Sequence, residues 1–145
     1  MNSAAATPKP RILVVDDEPL VCTMVSRLIR RRYDVTTTTS SNDGLRLART
    51  QRWDAILCDI MMPELSGVEF LDRLRADGAT AAHRIGFMTG GAFDPEVQTF
   101  LEGLGERGWL PKPFGRAEAE AFIESIRTRT DPPDSGASPD ATEQA

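Results

Sequence analysis

The chain reads as an α/β domain built on a parallel sheet with helices on both faces. Two observations predict this. Short apolar or β-branched runs alternate strictly with segments of helical periodicity, five of each, and such alternation closes on a parallel sheet covered on both sides. The chemically notable side chains fall at the carboxyl ends of the predicted strands, where open sheets of this class carry their functional crevice. Right-handed crossovers restrict the remaining topologies sharply.

The elements follow in order. "RILVV" (11–15) is a strand that runs into three consecutive acids, Asp16, Asp17 and Glu18. "PLVCTMVSRLIRR" (19–31) is a helix opened by proline, whose missing N–H costs little in the first turn. "YDVTTTT" (33–39) is a β-branched strand. "SNDGLRLARTQ" (41–51) is a helix begun by a Ser or Asn cap. "DAILCD" (54–59) is a strand ending in an acid, and "GVEFLDRLRA" (67–76) sets Val68, Leu71 and Leu74 on one helical face. "IGFMT" (85–89) is a strand ending in a hydroxyl. "PEVQTFLEGL" (95–104) places Val97, Phe100, Leu101 and Leu104 at helical spacing. "GWLPK" (108–112) is a short strand and "GRAEAEAFIESIR" (115–127) a closing amphipathic helix.

At 145 residues this is one domain, large enough for a proper core. Residues 1–9 read as a flexible lead, 10–127 as the folded unit, and 128–145, polar and rich in Pro, Ser and Asp, as a disordered tail. A net charge of −5 argues against nucleic acid as a bulk electrostatic partner. The densest basic run, Arg30 to Arg32, reads as cations at a helix C-terminus. No apolar run reaches the ~20 residues that span a bilayer, and no secretory signal opens the chain, so a cytoplasmic location is expected. Cys22 and Cys58 read as reduced packing residues and His83 as a solvated loop residue.

Three carboxylates at a strand end repel one another and resist desolvation unless a positive charge sits among them. Asp16 and Asp17 after the first strand and Asp59 at the end of the third make an all-oxygen site suited to magnesium, with Lys112 assisting. A carboxylate beside such a cation can attack phosphorus and give an aspartyl phosphate. The lysine ammonium and the Thr89 hydroxyl can hold two phosphoryl oxygens, and phosphoryl transfer asks mainly for this positioning and charge neutralisation. Gly90 and Gly91 leave open backbone for the approach of the phosphoryl group.

The motifs "VVDDEP", "CDIMMPELSG", "MTGG" and "WLPKPF" resemble those of the receiver domain of response regulators in two-component signalling, over Pro10 to about Arg127. The resemblance implies a flavodoxin-like, doubly wound sheet of strand order 2-1-3-4-5 with five helices. It implies that Asp59 is the phosphoacceptor and that magnesium is held by Asp17, by Asp16 largely through water, by Asp59 and by the backbone carbonyl of Met61. Thr89 would be the switch hydroxyl, Lys112 the phosphate-binding lysine, and the Lys112–Pro113 bond cis. Trp109 stands where the family often has Tyr or Phe, as an aromatic switch or as a ring fixed in place. Glu18 reads as a helix-start charge rather than a third ligand.

Implied partners are a histidine kinase or histidine phosphotransfer protein as phosphodonor, with Leu20 and Val21 as candidate contacts, and a downstream protein target. The chain would be a monomer or a weak homodimer through the face of the fourth helix, fifth strand and fifth helix, acting either as a stand-alone receiver or as a piece of a hybrid kinase. Two rivals exist. A haloacid-dehalogenase-type phosphatase needs an acid two residues after the nucleophile, where Met61 stands, and a substrate cap. A receiver-like interaction module that accepts no phosphate would lack one of the acids or the lysine, and none is missing.

Overall fold

A computed structural model describes residues 8–90, 95–104 and 108–129. Five strands, β1 (Arg11–Val15), β2 (Asp34–Thr38), β3 (Ala55–Asp59), β4 (Ile85–Thr89) and β5 (Trp109–Pro111), alternate with five helices. These are α1 (Pro19–Ile29), α2 (Ser41–Thr50), α3 (Gly67–Ala76), α4 (Pro95–Leu104) and α5 (Arg116–Arg127). The strands form one sheet of order β2-β1-β3-β4-β5, and every pairing is parallel.

Side chains alternate across a strand, and β1 shows what this does to the core. Ile12 and Val14 point to one face of the sheet, where they join Val25 and Ile29 of α1 and Ala119, Phe122, Ile123 and Ile126 of α5. Leu13 and Val15 point to the other, against Leu45 of α2, Phe70, Leu71 and Leu74 of α3 and Leu101 of α4. The central strands are covered on both sides, which is why β3 and β4 are buried at all five positions. Two close approaches need glycine. A Cβ on Gly44 would lie 2.8 Å from Val15 Cγ1, and one on Gly86 would lie 2.5 Å from Ile126 Cδ1.

Local chemistry sets the element ends. Ser66 and Glu69 form a capping box at the start of α3, each side chain accepting the other residue's N–H. The cap of α2 is Ser40, one residue before the segment read as helical, and its hydroxyl accepts the Asp43 N–H at 3.1 Å. Ser41 is instead buried, with its hydroxyl donating to Glu64 at 3.4 Å. α1 runs to Ile29 with Arg30 as its C-cap, and Arg31 and Arg32 continue in a turn, so the basic run lies at the helix C-terminus as the sequence suggests. Arg32 reaches Glu120 at 3.3 Å and Glu124 at 3.7 Å on α5. His83 is exposed but closes a single 3₁₀ turn (Thr80–His83) instead of lying in an open loop. Both cysteines are buried free thiols, and burial first, then the charge of Asp16, pushes the Cys22 thiol up to about 11. Among the described residues no helix is long and apolar enough to cross a membrane.

One polar contact crosses the first core. Tyr33 is buried, and its hydroxyl donates to Glu124 Oε2 at 2.6 Å. Burial works to raise the Glu124 pKa, but hydrogen bonds from Tyr33 and Arg127 and the nearby guanidinium charges outweigh it, leaving the carboxyl below its ordinary range. Tyr33→Phe removes a charge-assisted hydrogen bond at little change of volume. It should lower stability by about 1–2 kcal/mol, read as a shifted urea midpoint with an unchanged slope.

Candidate functional site

Asp16 follows the last residue of β1, Asp59 is the last residue of β3, Thr89 the last of β4, and Lys112 follows β5. Parallel pairing carries all four to one edge of the sheet. The backbone there is tied across strands: Asp16 N donates to Thr38 O at 3.2 Å, Ile60 N to Met88 O at 3.1 Å, and Lys112 N to Thr89 O at 2.6 Å. Asp16 is fully buried, and Asp59 and Thr89 are 5% and 3% exposed, whereas Asp17 is more open to solvent. One carboxylate oxygen from each of Asp16, Asp17 and Asp59 lies within 4.8 Å of the others.

Lys112 Nζ stands between two of these acids, 3.0 Å from Asp16 Oδ2 and 3.6 Å from Asp59 Oδ1. The second oxygen of Asp16 accepts the Glu18 N–H at 2.9 Å, and Asp59 Oδ1 accepts the Met61 N–H at 3.3 Å. Burial, then the charge of Asp16, pushes the Asp59 carboxyl up to about 6, against the opposite pull of Lys112 and the Met61 N–H. Burial alone would lower the Lys112 pKa. The hydrogen bond to Asp16 and the charges of Asp59, Asp16 and Glu18 outweigh it, so the ammonium is held above its ordinary value.

The one ammonium reaches two of the three carboxylates, and burial together with the charge of Asp16 keeps the Asp59 pKa raised in spite of it. An oxygen-only donor set with excess negative charge and an open side suits a hard divalent cation such as magnesium, and the residues fit one. Thr89 makes no hydrogen bond through its hydroxyl to any described residue, so that donor is available at the site. The space above Gly90 is filled by the lysine stem: a Cβ there would lie 3.0 Å from Lys112 Cε. Gly91 lies outside the described residues.

The Lys112–Pro113 bond is cis. Trp109 pairs in register with Phe87 of β4 and is half-buried against the second core, which Val97, Phe100 and Leu104 of α4 also flank. Phe100 meets Phe87 edge-on, with ring centroids 5.5 Å apart. The sequence placed Lys112 among the acids, assisting the metal and binding the phosphoryl group, but did not show that it bonds Asp16 directly. It also gave Gly67 no role beyond opening the helical segment 67–76. A Cβ at Gly67 would come within 2.9 Å of both Ile60 Cα and Phe87 Cε1 and 3.0 Å of Asp59 O, so only glycine lets α3 start this close to the end of β3. A glycine directly after a Ser cap was the available signal.

The family model of the response regulator receiver domain matches residues 12–124. This chain belongs to that family. Receivers are signalling domains of two-component systems, and the resemblance drawn from the four motifs and the expected strand order both hold. Among curated relatives, the transcriptional activator protein PfeR of Pseudomonas aeruginosa is 33% identical over 129 residues, 88% of this chain and 41% of that protein. The alkaline phosphatase synthesis transcriptional regulatory protein PhoP of Bacillus subtilis is 34% identical over 83% of this chain and 50% of its own length. The receiver thus spans about half the length of these curated relatives. Among solved structures, the receiver domain of sensor histidine kinase PA1611 from P. aeruginosa is 28% identical with a TM-score of 0.68, covering 83% of this chain and 99% of that one. That structure has a magnesium ion coordinated in its active site cleft. The chemotaxis response regulator CheY4 of Vibrio cholerae is 27% identical with a TM-score of 0.69, over 81% of this chain and 98% of its own.

The raised Asp59 pKa carries a stability cost without metal. A folded-state value of about 6, above the roughly 3.9 of a free Asp, means the folded state holds the proton more tightly. The contribution of Asp59 to stability is therefore most favourable below pH ~4 and falls as the pH rises to ~6. In metal-free buffer at pH 7, Asp59→Asn should stabilise the receiver by roughly 2 kcal/mol, and this gain should vanish by pH ~4. Urea titrations at the two pH values check it.

Proposed function

We infer that this receiver accepts a phosphoryl group on Asp59 from a phosphohistidine and, so modified, changes the surface it offers to a partner. The observation that supports this best is Lys112 Nζ lying 3.0 and 3.6 Å from Asp16 and Asp59 beside the cluster of three carboxylates. Asp16, Asp17, Asp59 and the backbone carbonyl of Met61 would hold magnesium. The ion would supply charge neutralisation at the phosphoryl oxygens.

At neutral pH Asp59 is mostly ionised, given a pKa of about 6. Its carboxylate oxygen attacks phosphorus; the O–P bond forms as the N–P bond of the donor histidine breaks, and the imidazole leaves with the bonding pair. Lys112 can move from its carboxylate partners to a phosphoryl oxygen, because its stem lies along Gly90 with the ammonium already at Asp59. The Thr89 hydroxyl donates to a second oxygen. Drawing Thr89 inward opens space beneath the half-buried Trp109, two strand positions away across the β4–β5 pairing, and this couples the phosphoryl group to α4 and β5.

The donor is proposed to be a histidine kinase or phosphotransfer protein that docks beside α1. The sequence offered Leu20 and Val21 equally, and the two now separate. Val21 packs against the first core, while Leu20 is 84% exposed. Met61, 50% exposed beside Asp59, is the other large apolar side chain open to solvent among the described residues. The downstream target, or a second copy in a weak dimer, is proposed to meet the α4–β5–α5 face.

Incubation with acetyl phosphate and magnesium should add one phosphoryl group by intact-mass spectrometry, absent in Asp59→Asn and without magnesium. An adduct that survives in Asp59→Asn overturns the assignment. No adduct from acetyl phosphate or from any kinase would favour an interaction module that accepts no phosphate. Leu20→Ala should leave the acetyl phosphate reaction unchanged while slowing transfer from the cognate kinase at least fivefold, about 1 kcal/mol of docking energy; equal slowing of both reactions would place Leu20 in the chemistry instead.

A further inference from the structure

The opposite edge of the sheet carries a second polar feature. A groove of about 590 Å³ runs between the end of α2, the segment leading into β3, the residues before β4 and the end of α5. Its walls include Arg49, Arg52, Arg84 and Arg127, a concentration of positive charge on a chain whose net charge is −5. We propose that this groove is a binding site for a compact oxyanion bearing two or more negative charges, of the pyrophosphate or polycarboxylate class.

Helix ends explain part of the cluster and leave the rest. Arg49 and Arg127 sit in the last turns of α2 and α5, where cations are favoured by the helix carbonyls, and each has an acidic partner, Asp77 and Glu124. Arg52 and Arg84 lie outside any helix. Arg84 donates to the Arg129 carbonyl at 2.7 Å. The Arg52 guanidinium has no acidic partner among the described residues. The acid lining the groove, Asp54, is turned toward the backbone of β1, where it accepts the Arg11 N–H at 2.8 Å.

A second observation points to a ligand. Arg127 Nε is buried and makes no hydrogen bond among the described residues, the one side-chain nitrogen or oxygen there in that condition. Leaving such a donor unmet is unfavourable, the more so on a charged group, and buried polar atoms in native proteins are nearly always paired. Guanidinium forks match planar or tetrahedral oxyanions bidentately. The groove volume falls in the range of pockets that take small ligands. The long-range field of an acidic chain disfavours an extended polyanion here, whereas a compact one lies within the arginine cluster.

The test is isothermal titration of the full chain in magnesium-free buffer with pyrophosphate and, separately, citrate, followed by amide and indole NMR. Saturable binding tighter than about 1 mM by either anion is expected, with shifts at residues 48–54, 79–84 and 127 and at the Trp53 indole. Preference for one anion assigns the source as phosphate or carboxylate. Arg52→Ala, which removes an exposed side chain without an acidic partner, and Arg127→Lys, which keeps a cation for Glu124 but deletes the Nε donor, should each weaken binding at least fivefold. Arg116→Ala, at the far end of α5, should not. No binding by either anion, equal binding in the variants, or shifts centred on Asp16, Asp59 and Lys112 overturns the proposal.

Discussion

The ammonium of Lys112, set between Asp16 and Asp59, is the contact on which the functional edge of this receiver depends. Two strands, β1 and β3, end in carboxylates that would be unfavourable together in a dry interior. Two of the carboxylates are almost wholly withdrawn from water, and burying an unpaired charge costs several kcal/mol. A lysine from the far side of the sheet reaches them because β5 closes the strand order next to β4 and because nothing projects from Gly90 into the path of its stem. One cation still cannot neutralise three anions, and burial adds to the strain, so the Asp59 pKa stays raised. The site is built as an electrostatic deficit at one end of a well-packed sheet.

That deficit is tolerated because the scaffold beneath it is overdetermined. Each central strand contributes to both cores, and the close contacts at Gly44 and Gly86 show how little free volume separates helices from sheet. Gly67 extends the same constraint to the site itself. By letting α3 begin against Ile60 and the Asp59 carbonyl, it fixes the peptide that follows Asp59, and with it the Met61 N–H that bonds the Asp59 carboxylate. Positioning of this kind is what phosphoryl transfer chiefly demands of a protein.

Much of this was legible in the residues. Alternation of element types gave the sheet, and the placement of Asp16, Asp17, Asp59, Thr89 and Lys112 at strand ends gave the edge, because parallel pairing leaves no other place for them. What remained hidden depends on distances between segments far apart in sequence. That Lys112 bonds Asp16 across 96 positions is a fact of packing, as is the reach of Arg32 from the end of α1 to Glu120 and Glu124 on α5. The one-residue shift of the α2 cap has a similar cause: Ser40 and Ser41 are equally good caps in isolation, and burial of Ser41 beside Glu64 decides between them.

The helices are not held equally, and the inequality follows the site. α5 buries Ala119, Phe122, Ile123 and Ile126, whereas α4 buries Leu101 alone, with Val97, Phe100 and Leu104 only half covered. Elements with few buried apolar contacts open at lower free-energy cost than those locked in a core. α4 also stands over the β4–β5 pair, where Thr89 ends one strand and Trp109 begins the other, and Phe100 touches Phe87 through a single edge-to-face contact. A change of a few kcal/mol at Thr89 and Lys112 is small beside the packing of α5 but comparable with what fixes α4. A charge placed on Asp59 should therefore be felt first at α4, and the rigid remainder of the sheet is what confines it there.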